Sequence, residues 1–162
     1  MARVNKSIEL NVPVATAYNQ WTQFEQFPRF MQAVQSVVQM DDRHLTWHAR
    51  VGNREKYWDA EIQEQVPDQR IVWRSTEGAP NAGQVSFLPL DPMHSRVTLQ
   101  LSYTPEGMLE QAGSAMGFMS RQVSNDLERF RDFIESQPME TGAYREELPN
   151  PKAPGGHTNG EL

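Results

Sequence analysis

The 162-residue chain contains no cysteine. This absence excludes a disulfide framework, a thiol nucleophile and any metal site built on thiolates. Positive charge is also scarce, because 15 Lys and Arg stand against 21 Asp and Glu and leave a formal net charge of −6. Nucleic acids and anionic membrane surfaces both attract basic proteins, so we expect no nucleic-acid partner and no electrostatic docking on a membrane.

Long hydrophobic runs are missing as well. The first residues, Met1 to Lys6, lack the apolar stretch of a signal peptide. No segment reaches the about 20 apolar residues with which a helix crosses a bilayer. We therefore expect a cytoplasmic protein without stable membrane insertion. Apolar residues still make up 38% of the chain, which is enough for a folded domain.

Apolar periodicity predicts an α+β domain. A first strand is expected over residues 3–11, where Val4, Ile8 and Leu10 share one face. Two short helices follow, and their apolar residues are Val14, Ala17, Tyr18 and Trp21, then Phe24, Phe27, Phe30 and Met31. Six more strands are expected at 34–41, 44–51, 54–66, 69–77, 83–90 and 95–104. Because short turns join these strands, neighbours should pair antiparallel.

One long amphipathic helix is expected after the strands, from about Pro105 to Ser136. Its apolar face consists of Leu109, Ala112, Met116, Met119, Val123, Leu127, Phe130 and Ile134. A helix covers only a stripe, whereas the strands together present a broad apolar face. If the sheet curls around the helix, space is left between them, and a lined interior space is a binding site.

The two halves of that helix differ in side-chain bulk. From 122 to 135 the apolar residues are bulky, which is typical of tight packing. From 107 to 119 they are small or flexible, and this half holds Gly107, Gly113, Gly117, Ala112 and Ala115 with Met108, Met116 and Met119. Methionine adapts to irregular contents, and each glycine weakens a helix by about 1 kcal/mol relative to alanine. Two interpretations remain: a slightly loose core, or a cavity beside this half, which could open as a gate.

Alternation along the strands places three tryptophans on the covered face of the sheet. Each indole N–H needs a hydrogen-bond partner once buried, which favours a partly wet or ligand-filled interior over a dry core. The residues expected to bind a ligand are Trp47, Trp58, Trp73, Ser75, Phe87, Leu99, Leu101, Tyr103, Met108, Ala112, Met116 and Met119. Ser75 and Tyr103 are the polar members. They could orient a ligand, or in an enzyme a phenol could act as a weak acid.

Residues 137–162 differ from the rest of the chain. This stretch holds four prolines and four glycines and shows no apolar periodicity. We expect a domain over residues 1–136 and a flexible Pro/Gly-rich tail over 137–162, mobile and dispensable for folding.

Patterns of known catalytic and metal chemistry are not found. His44 and His48 are four residues apart, but on a strand that separation is about 13 Å, too far to share one ion. Both also fall on the wet face of the sheet, as do Asp59 and Glu61. Nucleophile elbows, phosphate loops and dinucleotide fingerprints are absent. We therefore expect no catalytic residue, no metal and no cofactor.

The order of elements and several stretches resemble the START-like helix-grip (SRPBCC) superfamily, in particular its polyketide cyclase/dehydrase and coenzyme Q-binding branch. The resemblance covers about residues 3–136. The stretches that carry it are SIELNVPV (7–14), AYNQW (17–21), FEQFPRFM (24–31), WDAEI (58–62), GQVSF (83–87), RVTL (96–99) and LERF (127–130). It implies a curved seven-stranded antiparallel sheet wrapped around the long C-terminal helix, with two short helices after the first strand and a hydrophobic cavity in between.

Three functions are consistent with these observations. The first is a binding protein for a lipid-like or aromatic polycyclic small molecule, acting as carrier, sensor or chaperone. The second is a polyketide-type cyclase/dehydratase that uses the same cavity, since the superfamily includes aromatase/cyclases beside lipid carriers and hormone receptors. The third is a stress or interaction protein with a vestigial cavity. The expected partner is a hydrophobic ligand, and the expected assembly is a monomer or weak homodimer.

Overall fold

A computed structural model describes residues 2–51, 53–103 and 113–150, and over 113–118 it describes only the backbone. Strand β1 spans Ala2–Leu10 and is followed by helix α1 (Val14–Trp21) and a 3-10 helix (Phe24–Arg29). The next strands are β2 (Val34–Gln39), β3 (His44–Val51), β4 (Arg54–Val66), β5 (Arg70–Gly78), β6 (Asn81–Asp91) and β7 (His94–Tyr103). Helix α2 spans Gly113–Ser136. None of the described helices has the length and hydropathy that a bilayer crossing requires.

The seven strands form one antiparallel sheet in the order β1-β7-β6-β5-β4-β3-β2. Consecutive strands from β2 to β7 pair as hairpins, and β1 pairs with β7 at the other edge. Register shifts interrupt the ladders within β2, β4 and β6. Such bulges bend and twist a strand, so they help the sheet to curl. The curled sheet and the long C-terminal helix confirm the predicted helix-grip fold.

The predicted second short helix is a 3-10 helix because Pro28 lies inside it. Proline has no N–H to donate, which disfavours a regular α-helical turn there. The turn between β5 and β6 also has a clear cause. Gly78 has φ +88°, and a Cβ at this position would lie 2.3 Å from the backbone oxygen of Tyr57. A side chain is therefore excluded at Gly78, and the chain turns through Ala79 and Pro80.

The core lies between the concave face of the sheet and α2. From the sheet it takes Leu45, Ile62, Ile71, Val85 and Val97, and from the second half of α2 it takes Val123, Leu127, Phe130 and Ile134, all at most 5% exposed. Aromatic rings fill the space next to α1. Phe130 meets the rings of Trp21 and Phe30 edge-on, with centroids 5.0 Å apart in each pair. The predicted packing half of α2 is thus confirmed. Residues 104–112 of the expected helix lie outside the described residues.

After α2 the chain crosses back over α1, and we call residues 140–149 the C-terminal strap. The side chains of Asn19 and Gln20 point outward from α1 yet are at most 9% exposed, because the strap covers them. Gln20 exchanges two hydrogen bonds with Thr141, from its Nε2 to Oγ1 and from the Thr141 N–H to its Oε1. Asn19 donates to Glu140 and accepts from Arg145. The strap thus buries these two polar side chains and supplies the hydrogen-bond partners that their burial requires.

The far end of the strap attaches to the sheet. Leu148 and Gln65 of β4 exchange two backbone hydrogen bonds of 2.8 Å, and Leu148 is 9% exposed. Arg145 also donates to Asp68 in the β4–β5 turn. Residues 140–148 of the predicted flexible tail therefore contact α1 and β4, mostly through hydrogen bonds, which leave no apolar periodicity. That the tail is mobile and dispensable for folding stays a prediction. Residues 151–162 lie outside the described residues.

Candidate functional site

A cavity of about 600 Å³ lies between the concave face of the sheet and α2. Strands β3, β4, β5 and β7 form one side, and the 3-10 helix with the described residues Met119 to Asp126 of α2 forms the other. Most of the lining is apolar, and its aliphatic part includes Val34, Leu45, Ala49, Ala60, Ile62, Ile71, Leu99, Leu101 and Val123. The size is in the range of small-molecule binding pockets.

Two stacked tryptophans lie on the cavity wall. Trp47 and Trp58 are directly opposed on β3 and β4. Their rings stack with centroids 5.8 Å apart and planes within 5° of parallel. The edge of the Trp47 ring is supported by Phe27, at 5.6 Å and 74°. Aromatic rings on a cavity wall offer dispersion contacts and ring stacking to a planar ligand.

The third tryptophan lies across a glycine of the neighbouring strand. Trp73 on β5 pairs with Gly83 on β6, and the Trp73 Nε1–H donates to the side chain of Asn81 at 3.3 Å. A Cβ on Gly83 would lie 2.6 Å from the six-membered ring of Trp73 and 2.6 Å from the Gln100 carbonyl oxygen. Gly83 is therefore the residue that lets this indole lie against the sheet. A glycine inside a predicted strand is the pattern that could have identified it.

One carboxylate reaches the cavity from α2. Asp126 is 8% exposed, and its Oδ1 accepts from the Arg129 guanidinium at 2.9 Å, the Gln122 amide at 3.2 Å and the Gln32 backbone N–H at 3.2 Å. Burial raises the pKa of this carboxyl, and its hydrogen bonds and the charge of Arg129 oppose the shift. The sequence interpretation did not include Asp126. Its place seven residues after Met119 and three after Val123 puts it on the same helix face.

Other polar residues lie at the end of the cavity near the β3–β4 hairpin. Gln35, Arg50 and Lys56 contribute to the lining there. Arg50 pairs with Glu55 next to it on β4. Lys56 lies two residues before Trp58, so both side chains belong to the concave face of β4. The cavity thus has apolar walls and a few polar groups toward one end.

The structure brings seven of the residues predicted to bind a ligand to the cavity wall: Trp47, Trp58, Trp73, Leu99, Leu101, Tyr103 and Met119. Met108 and Ala112 lie outside the described residues, and so does the side chain of Met116. The cavity was expected under residues 107–119, and of that range only Met119 has a described side chain. Trp21, Phe24, Phe27 and Met31 also line the cavity, although periodicity marked them only as helix core.

Two predicted residues lie elsewhere. Phe87 packs edge-on against Tyr18 at 5.3 Å and also contacts Trp21. It lies on the concave face as expected, but α1 fills that end of the sheet. Ser75 accepts a 3.0 Å hydrogen bond from the Asn81 backbone N–H. It therefore helps to fix the β5–β6 turn and is not part of the described cavity wall.

Comparisons with known proteins agree with this architecture. The sequence model of the family described as polyketide cyclase / dehydrase and lipid transport matches residues 10–131. An uncharacterized 17.2 kDa protein of Streptomyces lincolnensis, encoded in the melC2–rnhH intergenic region, is 47% identical over 146 residues. That match covers 90% of this chain and 97% of the relative.

Solved structures resemble the fold over most of the chain. DR_A0006 from Deinococcus radiodurans has a TM-score of 0.65 and 26% identity, covering 81% of this chain and 95% of its own. A START superfamily protein from Mycobacterium smegmatis has a TM-score of 0.70 at 12% identity, with 83% and 99% covered. The ZhuI aromatase/cyclase from Streptomyces sp. R1128 has a TM-score of 0.68 at 13% identity, with 88% and 98% covered. The chain therefore belongs to the polyketide cyclase/dehydrase and lipid transport family.

Proposed function

We propose that this protein binds a lipid-like or aromatic polycyclic small molecule in the cavity between the sheet and α2, and acts as a carrier, sensor or chaperone for it. The observation that carries the proposal is the apolar cavity of about 600 Å³ with the stacked Trp47 and Trp58 on its wall. The family description, which names lipid transport beside cyclase and dehydrase activity, supports the same class of ligand.

Apolar burial is the driving force that such a cavity offers. A ligand that loses roughly 300 Å² of apolar surface to the protein gains about 7.5 kcal/mol at about 25 cal/mol per Å². Association costs several kcal/mol in lost translation and rotation, so the net affinity depends on how well the rings and the few polar groups fit. The aromatic wall favours rigid, planar ligands, which lose little conformational freedom on binding.

Native mass spectrometry of the gently purified protein tests the proposal directly. We expect a species heavier than the bare chain, which loses a small apolar molecule on activation. A panel of fluorescent apolar probes, read through the tryptophans on the cavity wall, covers the case in which the natural ligand is lost during purification. The mass of the bare chain alone, together with no binding of any probe, would contradict the proposal.

A matched pair of substitutions separates cavity binding from surface binding. Ala60 is buried and lines the cavity, whereas Ala82 lies on β6 with the parity of the outer face. Ala60→Phe should fill the cavity and weaken probe binding at least tenfold, because the new ring occupies ligand space. Ala82→Phe adds the same ring on the other side of the sheet and should leave binding within about twofold. Equal affinities in the two variants would place the bound probe outside the cavity.

A second candidate function, a polyketide-type cyclase or dehydratase, is favoured by Asp126. A carboxyl group on the wall of an apolar cavity, with a pKa raised by burial, has the properties of a general acid or base. With any ligand that the protein is found to convert, Asp126→Asn should abolish turnover and retain binding. Unchanged turnover in Asp126→Asn would remove this residue from the reaction. The remaining alternative, a vestigial cavity, predicts that Ala60→Phe leaves the cellular function intact.

A further inference from the structure

We propose that Asp126 selects the ligand, so that the cavity prefers a neutral ring system bearing a hydroxyl group that donates to Asp126, and disfavours one bearing a carboxylate. This inference rests on the proposed binding function and names the ligand chemistry that the same site would take. It concerns the polar end of the cavity, where α2 faces residues 31–35.

The Asp126 carboxylate has one oxygen left for a ligand. Its three hydrogen bonds from described residues, donated by Gln32, Gln122 and Arg129, all end on Oδ1. Oδ2 is the oxygen with acceptor capacity remaining. Asp126 belongs to the cavity lining, and in the proposed complex a hydroxyl group of the ligand donates to Oδ2 while the three bonds to Oδ1 remain.

The carboxylate is held in place before a ligand arrives. Arg129 bridges two elements, because its NH1 donates to Asp126 and its NH2 donates to the Gln32 side chain, both at 2.9 Å. Gln122 fixes the group from one helical turn earlier. A preorganised acceptor loses little side-chain freedom on binding, so more of the hydrogen-bond energy appears as affinity.

The electrostatics of this position favour a donor over an anion. Burial raises the pKa of Asp126 despite the nearby Arg129 cation, so the charged form is incompletely solvated in the protein. A donating hydroxyl stabilises that charge, whereas a second carboxylate beside it adds repulsion in a partly desolvated site. Glu61 and Glu55 point away from the cavity on the outer face of β4, so Asp126 is the carboxylate that a ligand meets on the described wall.

Lys56 provides the opposing argument. Its side chain lines the same cavity on β4, and a cation there would attract an anionic ligand. Lys56 is only partly buried and has an interaction partner of its own. Asp126 is 8% exposed and held by three donors. Charge–charge effects are stronger in the less solvated position, which is why we assign the selection to Asp126.

Three probes of one size test the inference: 1-hydroxypyrene, 1-methylpyrene and 1-pyrenecarboxylate, each titrated with the full chain at neutral pH and followed by pyrene fluorescence. The hydroxyl probe should bind about tenfold more tightly than the methyl probe, which corresponds to one hydrogen bond to a charged group. The carboxylate probe should bind most weakly. In Asp126→Asn the hydroxyl preference should shrink to about threefold or less, and the carboxylate probe should gain affinity.

Two control variants make the result specific. Gln84→Leu removes a polar side chain from β6 at a position with the parity of the outer face, outside the cavity lining, and should leave the order of the three probes unchanged. Lys56→Met removes the cation, and it should not abolish the hydroxyl preference. Affinity for 1-methylpyrene reports whether the cavity itself survives in each variant.

The outcomes separate the two proposals. If no probe binds to the natural sequence, the proposed binding function fails. If all three probes bind with equal affinity and Asp126→Asn changes none of the affinities, the proposed binding function of the cavity stands and the selection by Asp126 is overturned. Tightest binding of 1-pyrenecarboxylate, lost in Lys56→Met, would also overturn it and assign the selection to Lys56.

Discussion

Tyr18 shows how burial changes the chemistry of a single side chain. Its phenol is fully buried, with the Arg145 guanidinium 5.5 Å above the ring. Burial raises the pKa of Tyr18 to about 12, although the charge of Arg145 favours the ionised form. The folded protein therefore holds this proton more tightly than the unfolded chain, whose tyrosines titrate near 10.

This shift predicts a specific loss of stability in alkali. A raised folded-state pKa contributes stability that is present below pH about 10 and is lost as the pH rises to about 12, by up to about 3 kcal/mol. Tyr18→Phe has no proton to release and should lose less stability over that range, in urea unfolding followed by fluorescence. Tyr57→Phe, in which an exposed ring is changed and Tyr18 remains, should keep the full loss. A loss of equal size in all three proteins would contradict the assignment to Tyr18.

Gly83 determines where one wall of the cavity lies. In Gly83→Ala the new methyl group meets the Trp73 ring and the Gln100 carbonyl, so we expect a loss of about 1–3 kcal/mol in unfolding free energy and a shift of tryptophan emission. The Trp73→Phe background supplies the control, because the smaller phenylalanine ring does not extend to the Cζ2 and Cη2 positions of Trp73 that the methyl group meets. The alanine substitution should cost less there. An equal cost in both backgrounds would place the strain at Gln100 alone.

For single residues, the sequence predicts which face of a strand a side chain lies on better than it predicts which residues pack against that side chain. Period-two alternation correctly assigns Trp47, Trp58 and Trp73 to the concave face, because the pleat of a strand is independent of what packs on it. The same rule cannot tell that α1 covers Phe87, since that contact depends on how two distant elements meet. Asp126 was not predicted as a cavity residue, because a polar residue on a helix ordinarily indicates a solvated face. Its place in the wall of the cavity is visible only in the structure.

The C-terminal strap is the element that sequence patterns describe least well. It has no regular secondary structure of its own, and most of its contacts are made through hydrogen bonds to Asn19, Gln20, Thr22 and Gln65. Apolar periodicity reveals helices and strands because each buries one apolar face. A segment that instead pairs buried polar groups leaves no such pattern, so its prolines and glycines suggested a free tail. The strands, α1 and the end of α2, by contrast, lie within a few residues of their predicted positions, whereas the predicted start of α2 lies outside the described residues.

Truncation distinguishes the strap from the residues beyond it. A chain that ends at Gln137 loses the buried Leu148 and the hydrogen bonds to α1 and β4. Each such bond contributes about 0.5–1.5 kcal/mol, so the midpoint of thermal unfolding should fall by several degrees. A chain that ends at Asn150 keeps every described contact and should unfold within about one degree of the full protein. Equal midpoints for both truncated chains would show that the strap adds nothing to stability.

At the scale of the whole molecule, the anchoring of α2 is uneven. Its second half packs against β1 and the aromatic residues next to α1. The C-terminal strap, which follows α2, contacts α1 and β4. Residues Met119 to Asp126, nearer the start of α2, face the cavity. A ligand can therefore adjust its contacts with the first part of the helix while the second part remains fixed to the sheet.

The family fold and the cavity follow from the sequence, because a broad apolar sheet with one long helix has few other ways to cover itself.

The pairing of β1 with β7 has a consequence for how the protein is made. Ala2 lies opposite Tyr103 and Leu10 opposite Ser95. During synthesis β1 leaves the ribosome before β7, so β1 cannot form its hydrogen bonds in the sheet until β7 has been synthesised. Translation of the intervening chain, at about 5–20 residues per second, takes several seconds. During that time β1 is an unpaired edge with Val4 and Leu10 uncovered, which is the kind of surface that chaperones bind and that neighbouring nascent chains can pair with.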